Sequence, residues 1–367
     1  MDKKYNILIC PLEWGLGHAA RMIPLACRLR DMQNNVIVAS GEEHLALFRN
    51  ELEGLSYINF PGFKPGYSRV LPQYIYLLLK TPLLLYHIIR EHSRLRKIIQ
   101  EYAIDIVISD NRFGLWNQNI KTVYITHMPL IPMPEPLRFL EFIGVYLHRF
   151  IIKKYSLCFI PDLPGELNLS GRLSHGIRLP ENVRYIGILS RFIMPVSSID
   201  RDHFKYRHNT VILSGPEPQR TILKQKLVAL MRDQETPTVI LEGRPGEERH
   251  VTRSGNLIFC NHLPSQEMRE MVTGSDNIIT RSGYTTVMDL VCLSRSALLI
   301  PTPGQTEQEY LAKYLSSKGW FTTISQNKIK DVIPVSPEKT DIPDEIIEQS
   351  IMLLEEALKL MLEEPHK

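Results

Sequence analysis

The groups in this chain whose types and spacing could do chemistry fall into clusters, and the densest runs from Arg281 to Gly319 (RSGYTTVMDLVCLSRSALLIPTPGQTEQEYLAKYLSSKG). Arg281, Ser282 and Gly283 form a short turn opening a helix that carries Thr285 at its start and Asp289 further along. An apolar strand, Ala297 to Ile300, then ends in Pro301 and the polar loop GQTEQE. Unpaired N–H groups at a helix N-terminus, with the positive end of the dipole behind them, make a ready site for a diphosphate. Gly283 lets the backbone come close, and a carboxylate at Asp289 can accept hydrogen bonds from both hydroxyls of a ribose. Gln305, Thr306, Gln308 and Glu309 would lie at the carboxyl edge of a parallel sheet, where open α/β folds bind ligands. Asp289 could equally be an ordinary solvated helix acid.

A second cluster follows the first strand, in PLEWGLGHAARMIPLACRLR. Gly15 and Gly17 make a tight loop that would admit a sugar-bearing substrate close to the backbone. His18, at the loop's end, is the candidate general base, because an imidazole titrates near neutrality; its alternative is to cap the helix. Asp110, after the strand Ile104 to Ser109, could orient His18 and stabilise its imidazolium, or could N-cap the next helix. His127 follows the strand ending at Thr126 and would share the same crevice. Gly15, Gly17 and Ala20 also fit a dinucleotide fingerprint, but the second strand ends in Ala39, Ser40 and Gly41 with no acid at its tip. A nicotinamide or flavin reading is therefore disfavoured, and no cofactor is expected.

Two more strand ends carry polar groups. In SGPEPQRT, Ser214 and Gly215 can offer hydroxyl and backbone donors to a phosphate, and Arg220 adds charge. The loop holding Asn261 and Leu263 lies where a nucleobase could bind through backbone groups on an apolar platform.

The elements that must position these groups alternate along the chain. Short β-rich runs, apolar on both faces, are separated by helical patterns, as in parallel sheets covered by helices. One series runs from Asn6 to Ile186 and another from Thr210 to Ile300. The reading is α/β: two doubly wound Rossmann-like domains with a cleft between them. The first spans 1–190, a linker 191–209, the second 210–340, and a terminal helix in 341–367 could pack across both. At 367 residues the chain is long enough for two cores.

A net charge of +3 is too mild to argue for nucleic acid. The five cysteines form no CxxC pair, so a reduced compartment and no metal site are expected. No run reaches the roughly 18 apolar residues of a spanning helix, and the N-terminal apolar run is too short for a signal peptide, so the expected location is cytoplasmic. Apolar stretches with basic residues, Pro72 to Ile99 and Pro136 to Tyr155, could dock on an anionic membrane or could be the outer layer of the sheet.

Together these residues resemble the GT-B nucleotide-sugar glycosyltransferases, especially the group containing the UDP-N-acetylglucosamine transferase of lipid II synthesis. GLGHAARMIPLA at Gly15 to Ala26 is similar to that group's N-terminal glycine loop. Arg281 to Ala312 is similar to its C-terminal signature. The resemblance implies that Asp289 holds the donor ribose, Gln308 and Glu309 contact the donor sugar, and Ser214 and Gly215 meet the diphosphate. It places His18 at a base or acceptor position. It further implies metal-independent transfer with inversion, from a UDP-sugar to a glycan or lipid-linked acceptor. The chain departs from the pattern with Asp289 for glutamate, Glu309 for a second glutamine and SGPEPQ for a Gly-Gly-Ser loop. Alternatives are a UDP-sugar 2-epimerase and a non-catalytic nucleotide-sugar-binding subunit.

Overall fold

A computed structural model describes residues 4–64, 66, 73–193, 207–215, 217–244, 248–329 and 342–363. Most of the linker anticipated at 191–209 lies outside the described residues, as does part of the SGPEPQ loop.

The first half contains β1 (Asn6–Cys10), α1 (Leu16–Asp31), β2 (Asn35–Ser40), α2 (Glu42–Glu51), β3 (Ser56–Asn59), α3 (Gln73–Leu79) and α4 (Thr81–Glu101). It continues with β4 (Ile106–Asp110), β5 (Lys121–Ile125), α5 (Glu141–Ile152), β6 (Leu157–Ile160) and β7 (Val183–Tyr185). These strands form one parallel seven-stranded sheet in the order β3-β2-β1-β4-β5-β6-β7. Alternation along β1 divides its layers. Ile7 and Ile9 pack with α1 and α2, whereas Leu8 and Cys10 pack with Leu95 and Ile98 of α4. Both faces are covered, which is why β1 has no polar side.

The second half contains β8 (Asn209–Ile212), α6 (Gln219–Met231), β9 (Thr238–Leu241), β10 (Val251–Ser254), β11 (Leu257–Cys260) and α7 (Ser265–Gly274). Then come β12 (Asn277–Thr280), α8 (Tyr284–Cys292), β13 (Leu298–Leu299), α9 (Thr306–Ser317), β14 (Thr322–Thr323) and α10 (Glu345–Glu363). The order β10-β11-β9-β8-β12-β13-β14 repeats the winding of the first sheet, with β10 antiparallel at the edge. Two elements were not anticipated. β10 is exposed along its length and β14 has two residues, so neither carries the apolar run that marks an inner strand.

In both sheets the strand order reverses beside the first strand, between β1 and β4 and between β8 and β12. Loops leaving the carboxyl ends on either side of that point diverge and open a crevice. A shared apolar core joins the halves, bringing Leu130, Leu163 and Leu173 against Val287, Leu290 and Leu311.

Candidate active site

The two crevices face each other across one cavity of about 500 Å³. The loop after β1 supplies Gly15, Gly17 and His18 to its wall, and α8 supplies Gly283, Thr285 and Asp289 opposite. Gly15 has φ 153° and ψ 160°, a region essentially reserved for glycine. At Gly17 an added Cβ would lie 3.0 Å from Thr285 Oγ1, and that hydroxyl donates to the Gly17 carbonyl at 3.0 Å. The glycine thus lets α8 approach the first domain, a role distinct from admitting substrate.

His18 Nδ1 lies 2.8 Å from Asp110 Oδ2. An ionised carboxylate only accepts, so a proton on Nδ1 serves this bond and leaves Nε2 its lone pair; Arg21 Nη2 also stands 2.9 Å from the same Nδ1. Asp110 is completely buried and is also gripped by Arg21, whose Nε donates to Oδ2 at 3.1 Å and whose Nη2 meets Oδ1. Burial alone would raise the Asp110 carboxyl, but Arg21 and His18 outweigh it and hold it at about 2. For His18, burial pushes the pKa below the ordinary histidine range; Asp110 opposes this and Arg21 adds to it. The imidazole is therefore neutral near pH 7, the form a base requires.

His127 joins the group from the loop after β5. Arg21 Nη1 donates to its Nδ1 at 3.0 Å, so the proton sits on Nε2, which donates to Glu307 Oε1 at 2.8 Å across the cleft. The His127 ring stacks on Tyr284 of α8 at 4.3 Å. Burial alone would raise Glu307, and His127, His18 and Arg21 together hold it below its usual range.

On the second domain, Ser214, Gly215, Arg220, Leu263, Gln305 and Gln308 all line the cavity. Gly283, Tyr284, Thr285 and Thr286, at the start of α8, line the cavity, and no side chain caps this helix N-terminus. Asp289 accepts from Ser190 Oγ at 2.7 Å and has Arg191 Nε 3.5 Å from its other oxygen. Burial raises its carboxyl against the pull of Arg191. Gln305 Oε1 is buried without a hydrogen-bond partner, and Gln308 Oε1 accepts from the Thr302 N–H at 2.9 Å.

Four anticipated side chains are engaged by the scaffold. Arg281 donates to the carbonyls of Ile300, Pro301 and Gln219, and Ser282 to that of Gln308. Asn261 ties His250 and Glu248 together, and Glu309 accepts from the Gly304 N–H. Their types suit these tasks: each satisfies backbone groups of the loops that shape the cavity. Arg21, Tyr284, Arg191 and Glu307 were not anticipated. Arg21 stands three residues after His18 on α1, a spacing that puts both on one face. Glu307 adjoins the anticipated Gln308, but its partner is 180 residues away and no local pattern announces the pairing.

Among the described residues no group of three or more His, Cys, Asp and Glu side chains could hold a metal ion. No helix among them is long and apolar enough to cross a membrane.

Residues 257–336 match the Glycosyltransferase family 28 C-terminal domain. The fold is GT-B, the fold of the solved glycosyltransferases that the chain superposes on. The glycosyltransferase SnogD from Streptomyces nogalater superposes with a TM-score of 0.56 at 14% identity, covering 99% of this chain and 96% of that one. The spinosyn rhamnosyltransferase SpnG complexed with thymidine diphosphate superposes with a TM-score of 0.59 at 13% identity, covering 96% of both chains. An uncharacterized glycosyltransferase of Methanosarcina acetivorans is 21% identical over 253 residues, a match spanning 65% of this chain and 65% of that protein.

Proposed function

We propose that this protein transfers a sugar from a nucleotide sugar, UDP-linked and of the UDP-N-acetylglucosamine type, to the hydroxyl of a lipid-linked or envelope glycan acceptor. The observation that carries this reading is the neutral His18 held by Asp110 in the same cavity as the open N-terminus of α8. His18 Nε2 takes the acceptor's proton as its oxygen attacks the anomeric carbon from the face opposite the leaving group, which inverts the centre. Charge developing on the departing diphosphate is met by the α8 N–H groups and by Ser214, Gly215 and Arg220. Asp289 takes the ribose hydroxyls, displacing its bond to Ser190, and the unpartnered Gln305 Oε1 accepts from the donor sugar. The thymidine diphosphate seen with SpnG supports a nucleoside diphosphate in this cleft.

A lipid-linked acceptor is supported by α5, which is built inside out. Phe142 and Tyr146 are 67% and 73% exposed, while Glu141 and His148 of the same helix are buried. Exposed cations border this face at Arg138, Lys153 and Lys154, which suits the inner, anionic face of a membrane.

The test is a panel of UDP-, dTDP- and GDP-sugars screened by thermal shift, followed by transfer assays with the donor that binds. A donor raises the midpoint of the native fold. His18→Ala is expected to lower kcat by about 10²–10⁴ and to leave donor binding unchanged. If no nucleotide sugar shifts the midpoint, the reading is wrong.

A further inference from the structure

The pair that should supply the base is electrically unusual. In a simple His–Asp pair the carboxylate's full charge stabilises the imidazolium that forms when the base takes a proton. Here Arg21 contacts both oxygens of Asp110, so a fixed cation cancels that charge where it is needed. Taken alone, Asp110, Arg21 and a protonated His18 would carry a net buried positive charge. A second carboxylate completes the balance, and it comes from the other domain: Glu307 at the start of α9, reaching His127 Nε2 at 2.8 Å.

The polarity of the bonds through His127 is set by Arg21. Arginine cannot accept, so His127 Nδ1 does, and His127 Nε2–H therefore donates to Glu307. His18 donates to Asp110, Arg21 donates to Asp110 and to His127, and His127 donates to Glu307. Arg21 fixes the His127 links in this way, and its Nη2 also stands 2.9 Å from His18 Nδ1, beside the bond from that nitrogen to Asp110. Tyr284 of α8 stacks on the His127 ring and donates to the Pro161 carbonyl at 2.9 Å, which fixes the ring's plane from the donor-binding side.

We infer that Glu307 is a positioning residue for the base: it supplies, from the donor-binding domain, the net negative charge that lets His18 accept a proton. The inference deepens the transferase reading and rests on it only for its kinetic arm. Glu307 lies between Gln305 and Gln308 in the first turn of α9, where the donor sugar is proposed to bind. The base therefore reaches full strength when that turn is docked against the first domain, and weakens when it moves away. Such coupling would tie proton removal from the acceptor to a correctly seated donor.

The charged and titratable groups facing His18 are Asp110 from β4, Arg21 from α1, His127 after β5, Glu307 from α9 and His44 from α2. Removing a negative charge disfavours the imidazolium, so Glu307→Gln should lower the His18 pKa. The C2–H resonance of His18, identified by its loss in His18→Asn, is titrated by NMR in the full-length protein. A midpoint lower by about 1 pH unit is expected in Glu307→Gln. In transfer assays, Glu307→Gln should lower kcat at least about tenfold and move the acid limb of its pH profile downward, with UDP affinity unchanged. Glu307→Asp, which keeps the charge, should restore part of both. An unchanged midpoint in Glu307→Gln overturns the inference whether or not the protein transfers sugar. A lowered midpoint in a protein that transfers nothing leaves the inference standing and overturns the function.

Discussion

Asp110 is the residue on which most of the first domain's chemistry converges, and its electrostatics make a stability prediction. Its carboxyl is held at about 2, against an ordinary aspartate near about 3.9. Because the folded value is the lower one, the stabilisation is complete above the ordinary pKa and is lost as pH falls from about 4 through about 2. Asp110→Asn should therefore melt with a shallower decline over that acid window. At pH 7 it should be less stable by about 3–5 kcal/mol, since Arg21 stays buried without its carboxylate. Melting curves from pH 2 to 7 check both; parallel acid declines for the two proteins would contradict the assignment. The His18–Asp110 pairing was legible because strand ends of a doubly wound sheet converge, so two polar tips could be matched before their contact was known. Arg21 was hidden because a lone arginine on a helix after a glycine loop gives no sign that it faces a strand end 89 residues away. Glu307 was hidden because its meaning depends on a domain that chain order does not place.

The inner strands were legible to within a residue or two because burial on both faces demands apolar runs, which sequence displays directly. β10 was not, since an exposed edge strand has no such demand. Helix α5 shows the opposite failure. Its apolar residues read equally well as a sheet-facing layer, and only the structure shows Phe142 and Tyr146 facing out with Glu141 paired inward to Arg172. That inversion yields a prediction for the element. Exchanging Phe142 and Tyr146 together for serine should leave the melting temperature unchanged, because neither side chain is packed. The same exchange should lower binding to vesicles containing phosphatidylglycerol at least about tenfold in co-sedimentation. Equal binding by both proteins would remove the membrane from the functional reading. Glu141→Ala should do the reverse, costing about 1–3 kcal/mol through the unpaired Arg172 and Met133 N–H while leaving vesicle binding intact.

For the whole molecule, the question is whether two Rossmann-like domains act as independent bodies. Domains joined by small polar interfaces move and unfold separately. Here α10 argues for union, since Ile346 joins the core shared by the two halves and Leu354, Leu358 and Met361 enter the core of the first domain. Polar contacts secure it: Ser350 Oγ accepts from the Ile188 N–H at 3.0 Å, and the Lys121 ammonium donates to the Met361 carbonyl at 2.6 Å. At Gly187, with φ 72°, an added Cβ would fall 2.3 Å from Ser350 Cα, so the helix lies directly on the backbone. Gly187→Ala should thus push α10 away and strain a left-handed residue together, costing about 2–4 kcal/mol. The size of the loss matters less than its form. If α10 and the shared core weld the halves, urea unfolding of wild type and variant alike should follow one transition, with equal slopes and a lower midpoint in Gly187→Ala. Two separated transitions in the variant, with the second at the wild-type midpoint, would mean that the second domain stands without the first. Closure over a donor would then be a rigid-body swing between autonomous domains. A single transition restricts closure to a hinge beside this strap, leaving the Glu307–His127 side of the cleft as the edge that opens.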